Sequence, residues 1–110
     1  MKKAWIIFAS LLAPNAQSAT LECQSLVNLN SVGSGTVTPV KNLKLKVSED
    51  SEVTAFVTET GPENYLVEAY LPTLQMRIYA EGSLHNTSEK LTASAWDRSL
   101  MVDVVCKKIK

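Results

Sequence analysis

The sequence predicts an all-β fold: a small antiparallel β-sandwich or flattened barrel of seven to eight strands, with one disulfide joining the first and last strands. Three observations favour this fold. Strand-like runs recur about every 8–14 residues, no run has helical apolar spacing over three turns, and the only two cysteines lie near the two ends of the β-rich region. The best-patterned strand is residues 99–106, where apolar side chains occupy every second position up to Cys106.

Residues 1–19 have the pattern of a secretory signal peptide. Two lysines precede the apolar run of residues 4–13, and small and polar residues follow it. The run is shorter than the roughly 20 apolar residues that span a bilayer. We expect cleavage after Ser18 or Ala19, with export to the periplasm or the extracellular space. The two lysines and the short run are typical of a bacterial signal. The alternative is an N-terminal helix buried in the domain.

Residues 20–110 are then one β-domain of 91 residues. This part has nine Lys and Arg against eleven Asp and Glu, a formal charge of −2, which favours neither nucleic acid nor an anionic membrane as partner. Glu22 directly precedes Cys23 and argues against a lipoprotein. We therefore expect no nucleic-acid partner and no transmembrane segment or lipid anchor in the mature chain. The oligomeric state stays open.

The two cysteines predict a disulfide between Cys23 and Cys106, because exported small domains use such bonds in an oxidising compartment. A metal site would need more ligands, and the single histidine, His85, is distant in sequence from both cysteines. No metal and no cofactor is expected.

The number of strands decides whether the two cysteines can meet. Residues 21–27 predict the first strand, residues 28–35 a turn or loop, and residues 36–38 a short strand. In a meander of seven strands the first and last run parallel, which leaves the cysteines roughly 13 Å apart, whereas a disulfide needs Cα atoms within about 7 Å. Either residues 36–38 make an eighth strand or a connection crosses over.

Three hairpins are predicted by matching apolar faces at period two. Their strands are residues 41–47 with 53–58, 65–71 with 74–80, and 91–95 with 100–104. The predicted registers place Leu45 opposite Ala55, Leu71 opposite Leu74, and Ala95 opposite Leu100. In the second hairpin Glu68 would lie opposite Arg77, an ion pair worth about 0–1 kcal/mol. A connection wider than Pro72 and Thr73 is an open alternative.

The same registers leave a group of side chains pointing away from the core, most of them aromatic and of types enriched at interfaces. The candidate binding surface that they form comprises Phe56, Leu66, Tyr70, Arg77, Tyr79 and Trp96. Its partner would be a protein or a glycan. The alternative is that both faces of the strands are buried.

No catalytic residue is predicted. His85 lies in a polar loop without the spacing of a nucleophilic triad. The carboxylates of Glu49, Asp50 and Glu52 are close in sequence, but a solvated hairpin loop explains them better than calcium binding does.

The two cysteine-bearing ends, residues 21–23 and 104–107, resemble those of small exported bacterial lysozyme inhibitors, which also enclose one β-domain between an early and a late cysteine. The Ser-Gly-x-x-Tyr motif with which the membrane-bound inhibitors block the active site is absent, and residues 33–35 do not replace it. The resemblance covers only these two ends.

The leading expectation is an exported, non-enzymatic β-domain with a binding or structural role in the bacterial envelope or outside the cell. The alternative is a small secreted inhibitor of a hydrolase, such as lysozyme or a protease, that inserts residues 81–89 into a cleft. An uncharacterised enzyme is the third hypothesis. A binding module would expose an aromatic patch, an inhibitor would present a rigid loop, and an enzyme would have converging titratable groups in a pocket.

Overall fold

The computed structural model describes residues 19–109, which form eight β-strands and no helix. The all-β prediction is confirmed. The predicted signal peptide lies, apart from Ala19, outside the described residues. The strands are β1 (Leu21–Val27), β2 (Asn30–Val37), β3 (Leu45–Glu49), β4 (Thr54–Gly61), β5 (Asn64–Leu71), β6 (Met76–Ser83), β7 (Lys90–Trp96) and β8 (Met101–Lys108).

The strands form two antiparallel four-stranded sheets. The first sheet has the order β2-β1-β8-β7, and the second has the order β3-β4-β5-β6. Since the number of strands is eight, β1 and β8 run antiparallel and pair directly. Cys23 lies opposite Cys106, their Cα atoms are 4.0 Å apart, and the disulfide between them is formed. The prediction of an eighth strand, which makes the first and last strands antiparallel and allows the two cysteines to bond, is therefore correct.

The core lies between the inner faces of the two sheets and follows the period-two alternation of the strands. It comprises the buried apolar residues Leu21, Cys23, Val27, Val53, Ala55, Val57, Tyr65, Val67, Ala69, Leu71, Leu84, Ala93, Val102, Val104 and Cys106. Ser25 is the polar exception: it is buried on the same face of β1 as Cys23 and Val27, and its Oγ has no hydrogen-bond partner among residues 19–109.

The prediction of a loop over residues 28–35 is wrong, because β2 begins at Asn30 and includes the whole glycine- and serine-rich segment. The turn before it is only two residues long. Asn28 and Leu29 both have positive φ, 52° and 70°, as in the type I′ turns that match the twist of a hairpin. Leu29 is an unusual residue for this conformation, which disfavours a Cβ.

Gly35 on β2 allows the edges of the two sheets to come together. A Cβ at Gly35 would overlap the carbonyl oxygen of Val47 on β3. On the opposite side of the sandwich, a Cβ at Gly82 on β6 would lie 3.1 Å from Leu91 on β7. The two sheets are therefore close to each other at both edges, where β2 meets β3 and β6 meets β7. At Gly35 this close approach is possible only because the residue has no side chain.

All three predicted hairpin registers are displaced. Leu45 lies opposite Val57, Leu71 opposite Met76, and Ala95 opposite Val102. Each shift is two residues, and the β3–β4 ladder has an additional irregularity between Lys46 and Ser48. The segment 41–44 is also not a strand: Val40 and Leu43 form an isolated bridge around Asn42, whose φ is 59°. In the β5–β6 hairpin a four-residue connection, residues 72–75, replaces the predicted two-residue one. A shift of two residues keeps most side chains on their predicted faces.

Within residues 19–109 no helix is long and apolar enough to cross a membrane.

Candidate functional site

The candidate surface lies on the outer face of the second sheet. The central strands β4 and β5 and the edge strand β6 each contribute alternate side chains to this face. Phe56 lies opposite Glu68, which lies opposite Tyr79 on the other side. Tyr70 and Arg77 face each other in the next row. Cross-strand neighbours on one face are about 4.5–5.5 Å apart at Cβ, so these five side chains form one continuous surface.

The two tyrosines on this face are accessible to solvent. Tyr70 is 42% exposed and Tyr79 is 68% exposed, whereas Phe56 is half-buried between its neighbours. The outer face thus combines the half-buried ring of Phe56 with the exposed phenol groups of the two tyrosines. Large aromatic side chains exposed together on a rigid sheet are a feature of binding surfaces.

A shallow cavity of about 250 Å³ lies on this face. We call it the outer groove. Most of its surface is apolar, although two cations and a carboxylate border it. It is lined by Lys44, Thr54, Phe56, Glu68, Ala69, Tyr70 and Arg77.

Lys44 forms an ion pair with Glu68, the only carboxylate that lines the outer groove. Its Nζ is 3.6 Å from Oε1 of Glu68 and 5.1 Å from the centroid of the Phe56 ring, a cation–π distance. The Glu68 side chain is only 14% exposed, so screening by solvent is reduced. The predicted pair of Glu68 with Arg77 is wrong, because the two-residue shift places Tyr79 opposite Glu68.

Arg77 is the second cation of the outer groove, and like Lys44 it is exposed. Within residues 19–109 its guanidinium makes neither an ion pair nor a side-chain hydrogen bond. Its nearest register partner is Tyr70, an uncharged side chain. The five N–H donors of the guanidinium are therefore available to a ligand.

Three of the six predicted surface residues do not line the outer groove: Leu66, Tyr79 and Trp96. Tyr79 lies beside the groove, opposite Glu68. Leu66 is on the same face but in the following row, opposite Thr58 and Glu81, and is half-buried. Trp96 is 78% exposed, but it belongs to β7 in the first sheet, where it lies opposite Met101. The structure therefore brings together Phe56, Leu66, Tyr70, Arg77 and Tyr79, and separates Trp96 from them.

A second polar cluster lies at the end of the sandwich where Thr20 and Ile109 are hydrogen-bonded to each other. Glu63, in the β4–β5 turn, is 2.9 Å from Nδ1 of His85 and 3.2 Å from Nζ of Lys108. The hydrogen bond with His85 and the hydrogen bond and charge of Lys108 hold the pKa of Glu63 below its ordinary value of 4.5. This cluster ties three chain segments together. Its residues are distant in sequence, which explains why no pattern predicted it.

The predicted inhibitory loop is shorter than expected, because β6 extends to Ser83 and leaves residues 84–89 as the connection. Leu84 is buried and anchors the start of this loop. A carboxylate oxygen of Glu89 accepts a hydrogen bond from the backbone N–H of His85 at 2.6 Å, and Asn86 Oδ1 accepts one from the N–H of Ser88 at 3.0 Å. Its own hydrogen bonds thus order the loop.

The acidic segment 49–52 is occupied by local contacts. Glu49 pairs with Lys46 at 2.8 Å, and Asp50 Oδ2 accepts a hydrogen bond from the N–H of Glu52 at 3.0 Å. Among residues 19–109 no group of three or more His, Cys, Asp or Glu side chains is arranged to hold a metal ion. These contacts fit a hairpin turn.

No protein-family model matches this chain, and no curated protein or solved structure gives a significant match. A function therefore has to be inferred from the geometry of the chain's own residues.

Proposed function

We propose that this protein is an exported, non-enzymatic binding domain whose outer face on the second sheet holds a partner molecule. One observation carries the proposal: Tyr70 and Tyr79 are exposed together beside the outer groove. Tyrosine provides a large contact area at a low cost in conformational entropy, and its hydroxyl adds a hydrogen bond.

The scaffold under this face supports a binding role. Ala55, Val57, Val67 and Ala69 alternate with the outward side chains of β4 and β5 and are fully buried. Both strands are paired on each side within the second sheet. A surface held on central strands keeps its shape, so that binding requires little ordering of the protein.

Export is part of the proposal for two reasons. The Cys23–Cys106 disulfide fits an oxidising compartment, where such bonds persist. Residues 1–19 also have the charge and apolar pattern of a signal peptide. Sequencing the N-terminus of protein recovered from the periplasm or medium tests this, since the proposal requires a chain that begins at Ala19 or Thr20.

The binding role is tested by replacing both tyrosines, Tyr70→Ser and Tyr79→Ser, in one protein. The matched control is Trp96→Ser, which removes an exposed aromatic group from the other sheet. Each oxidised protein is used for affinity capture from envelope extracts and from possible target cells. We expect the double variant to lose the captured partner and to keep a near-wild-type unfolding midpoint, while the control retains both. A large fall in the midpoint would assign the tyrosines to the core instead.

The ordered loop at residues 84–89 supports inhibition of a hydrolase as a second candidate function. A loop held by its own hydrogen bonds loses little entropy on entering a cleft. Substitution of Asn86 by Ala would release the bond to Ser88 and should weaken inhibition of a susceptible lysozyme or protease. If the Tyr70 and Tyr79 double variant abolishes inhibition and Asn86→Ala does not, the loop is not the inhibitory element.

A further inference from the structure

The outer groove has an excess of positive charge. Of the three charged side chains that line it, Glu68 is already neutralised by Lys44 at 3.6 Å. Arg77 adds a second cation, and this one has no charged partner within residues 19–109. An exposed guanidinium beside apolar surface is complementary to an anionic group.

The charges favour a carboxylate over a phosphate as that group. The planar fork of Arg77 matches the two oxygens of a carboxylate, and one negative charge balances one unpaired cation. A phosphate would bring additional negative charge close to Glu68, which is only 14% exposed and therefore poorly screened.

The backbone of the sheet favours a saccharide over a peptide. The strands β4 and β5 are central, so their N–H and C=O groups are used in the ladders on both sides. A peptide lying across this face would bury its own amide groups without backbone partners, which costs free energy. A sugar ring presents hydroxyl groups instead, and the phenols of Tyr70 and Tyr79 and the carboxylate of Glu68 can bond to them.

The size of the outer groove fits one ring. Its volume of about 250 Å³ is below the range of about 300–1,000 Å³ for sites that take drug-sized molecules. Phe56 and Tyr70 line it with apolar surface that can pack against the C–H groups of a ring.

We infer that the outer groove binds a carboxylate-bearing saccharide, of the uronic acid class, with the carboxylate on Arg77 and the ring over Phe56 and Tyr70. This inference depends on the proposed function, because it names the ligand class for the same face. Neighbouring rings of an oligosaccharide would extend toward Tyr79, which lies beyond Glu68 on β6.

The test is a titration of the oxidised protein with oligogalacturonate, followed by calorimetry in buffer of physiological salt. Its methyl ester is the matched ligand control, because it has the same rings without the charge. Arg77→Gln is the test variant and Arg98→Gln, in the β7–β8 turn, is the matched protein control. A glutamate-rich peptide is the competing probe.

We expect oligogalacturonate to bind, and both methyl esterification and Arg77→Gln to weaken binding by at least about tenfold, the value of a charge-assisted hydrogen bond. Arg98→Gln should change it by less than about twofold, because Arg98 follows β7 of the first sheet and does not line the outer groove. Equal binding of acid and ester, failure of oligogalacturonate to bind, or preferential binding of the acidic peptide would each overturn the inference. The proposed function survives those results if partner capture still depends on Tyr70 and Tyr79, and it fails separately if capture does not.

Discussion

Cys23 and Cys106 lie directly opposite each other on β1 and β8, so their disulfide joins the first and last strands within one sheet. The two residues are separated by 83 positions in sequence, and all other strands lie between them. The bond therefore constrains nearly the whole unfolded domain, and it does so at a position where the folded ladder already brings the strands together.

Replacing both cysteines by Ala should lower the free energy of unfolding by about 2–5 kcal/mol, mainly by relaxing the constraint on the unfolded chain. Since small domains have total stabilities of about 5–15 kcal/mol, this is a large fraction. Urea denaturation of the variant, beside wild type with and without reductant, measures it. An unchanged urea midpoint would show that the bond contributes little.

The substitution Gly35→Ala should destabilise the domain by about 1–3 kcal/mol or more, because the new Cβ would overlap the carbonyl oxygen of Val47 and force the sheet edges apart. Gly33→Ala is the control, since the nearest atoms to its Cβ are 3.9 Å away. That change should be neutral or stabilising by up to about 1 kcal/mol. Thermal unfolding separates the two; equal melting temperatures would contradict the close approach at Gly35.

Ser25→Ala should raise stability by about 1 kcal/mol, because it removes a buried hydroxyl that has no hydrogen-bond partner. Ser94→Ala makes the same chemical change on the outer side of β7, where Oγ donates to Asp103 Oδ1. The control should therefore be neutral or slightly destabilising. Chemical denaturation of both variants gives the comparison, and a loss of stability at position 25 would mean that its hydroxyl is hydrogen-bonded in solution.

Replacing Leu29 by Gly should stabilise the β1–β2 hairpin by about 1 kcal/mol, because glycine adopts positive φ without a clash at Cβ. The side chain that is lost is 71% exposed, so little packing is given up. Leu43→Gly, another exposed leucine but without positive φ, should not be stabilising. Differential scanning calorimetry of the two variants is sufficient, and a fall in the melting temperature of the Leu29 variant would contradict the strain.

Stability should fall as pH rises above about 10, and Tyr65 should account for part of the fall. Burial, followed by the carboxylates of Glu59 and Glu63, raises the pKa of this phenol above its ordinary value of 10.0. The unfolded chain therefore loses the proton at lower pH than the folded one, which favours unfolding in alkali. Tyr65→Phe should reduce this dependence, whereas Tyr79→Phe, at an exposed site, should not. Urea midpoints between about pH 8 and pH 11 provide the measurement.

The face on which a side chain lies was predictable, but its partner across the ladder was not. Tyr70 and Tyr79 were expected to point outward and do so, because a shift of two residues preserves the alternation. Because a shift of two residues leaves the buried face unchanged, the alternation of apolar residues allows either Leu74 or Met76 as the partner of Leu71. Only the length of the β5–β6 turn distinguishes them, and Pro72 does not specify that length.

The strand β2 was missed for a different reason. Its glycines and serines have the composition of a loop, and local propensity contains no information about the neighbour that requires a glycine at position 35. Position 35 is in a strand because it pairs with Cys23 on β1, and it is a glycine because Val47 on β3 comes close to it; both are tertiary relationships.

The candidate site was predictable in part. Alternation placed Phe56, Tyr70, Arg77 and Tyr79 on one face, but the pairing of Lys44 with Glu68 was not foreseen. Lys44 precedes β3 in an irregular segment, and the period-two alternation of a strand does not predict where the side chains of such a segment lie.

Both ends of the domain emerge on the same side. The backbone N–H of Ile109 donates to the carbonyl oxygen of Thr20 at 3.0 Å, and Lys108 reaches Glu63 in the adjacent β4–β5 turn. Tyr70 lies seven residues along the chain from Glu63, roughly 20 Å away at strand rise. An attachment made at residue 20 or residue 109 would therefore lie at the opposite end of the sandwich from the outer groove and would leave the groove exposed to the medium.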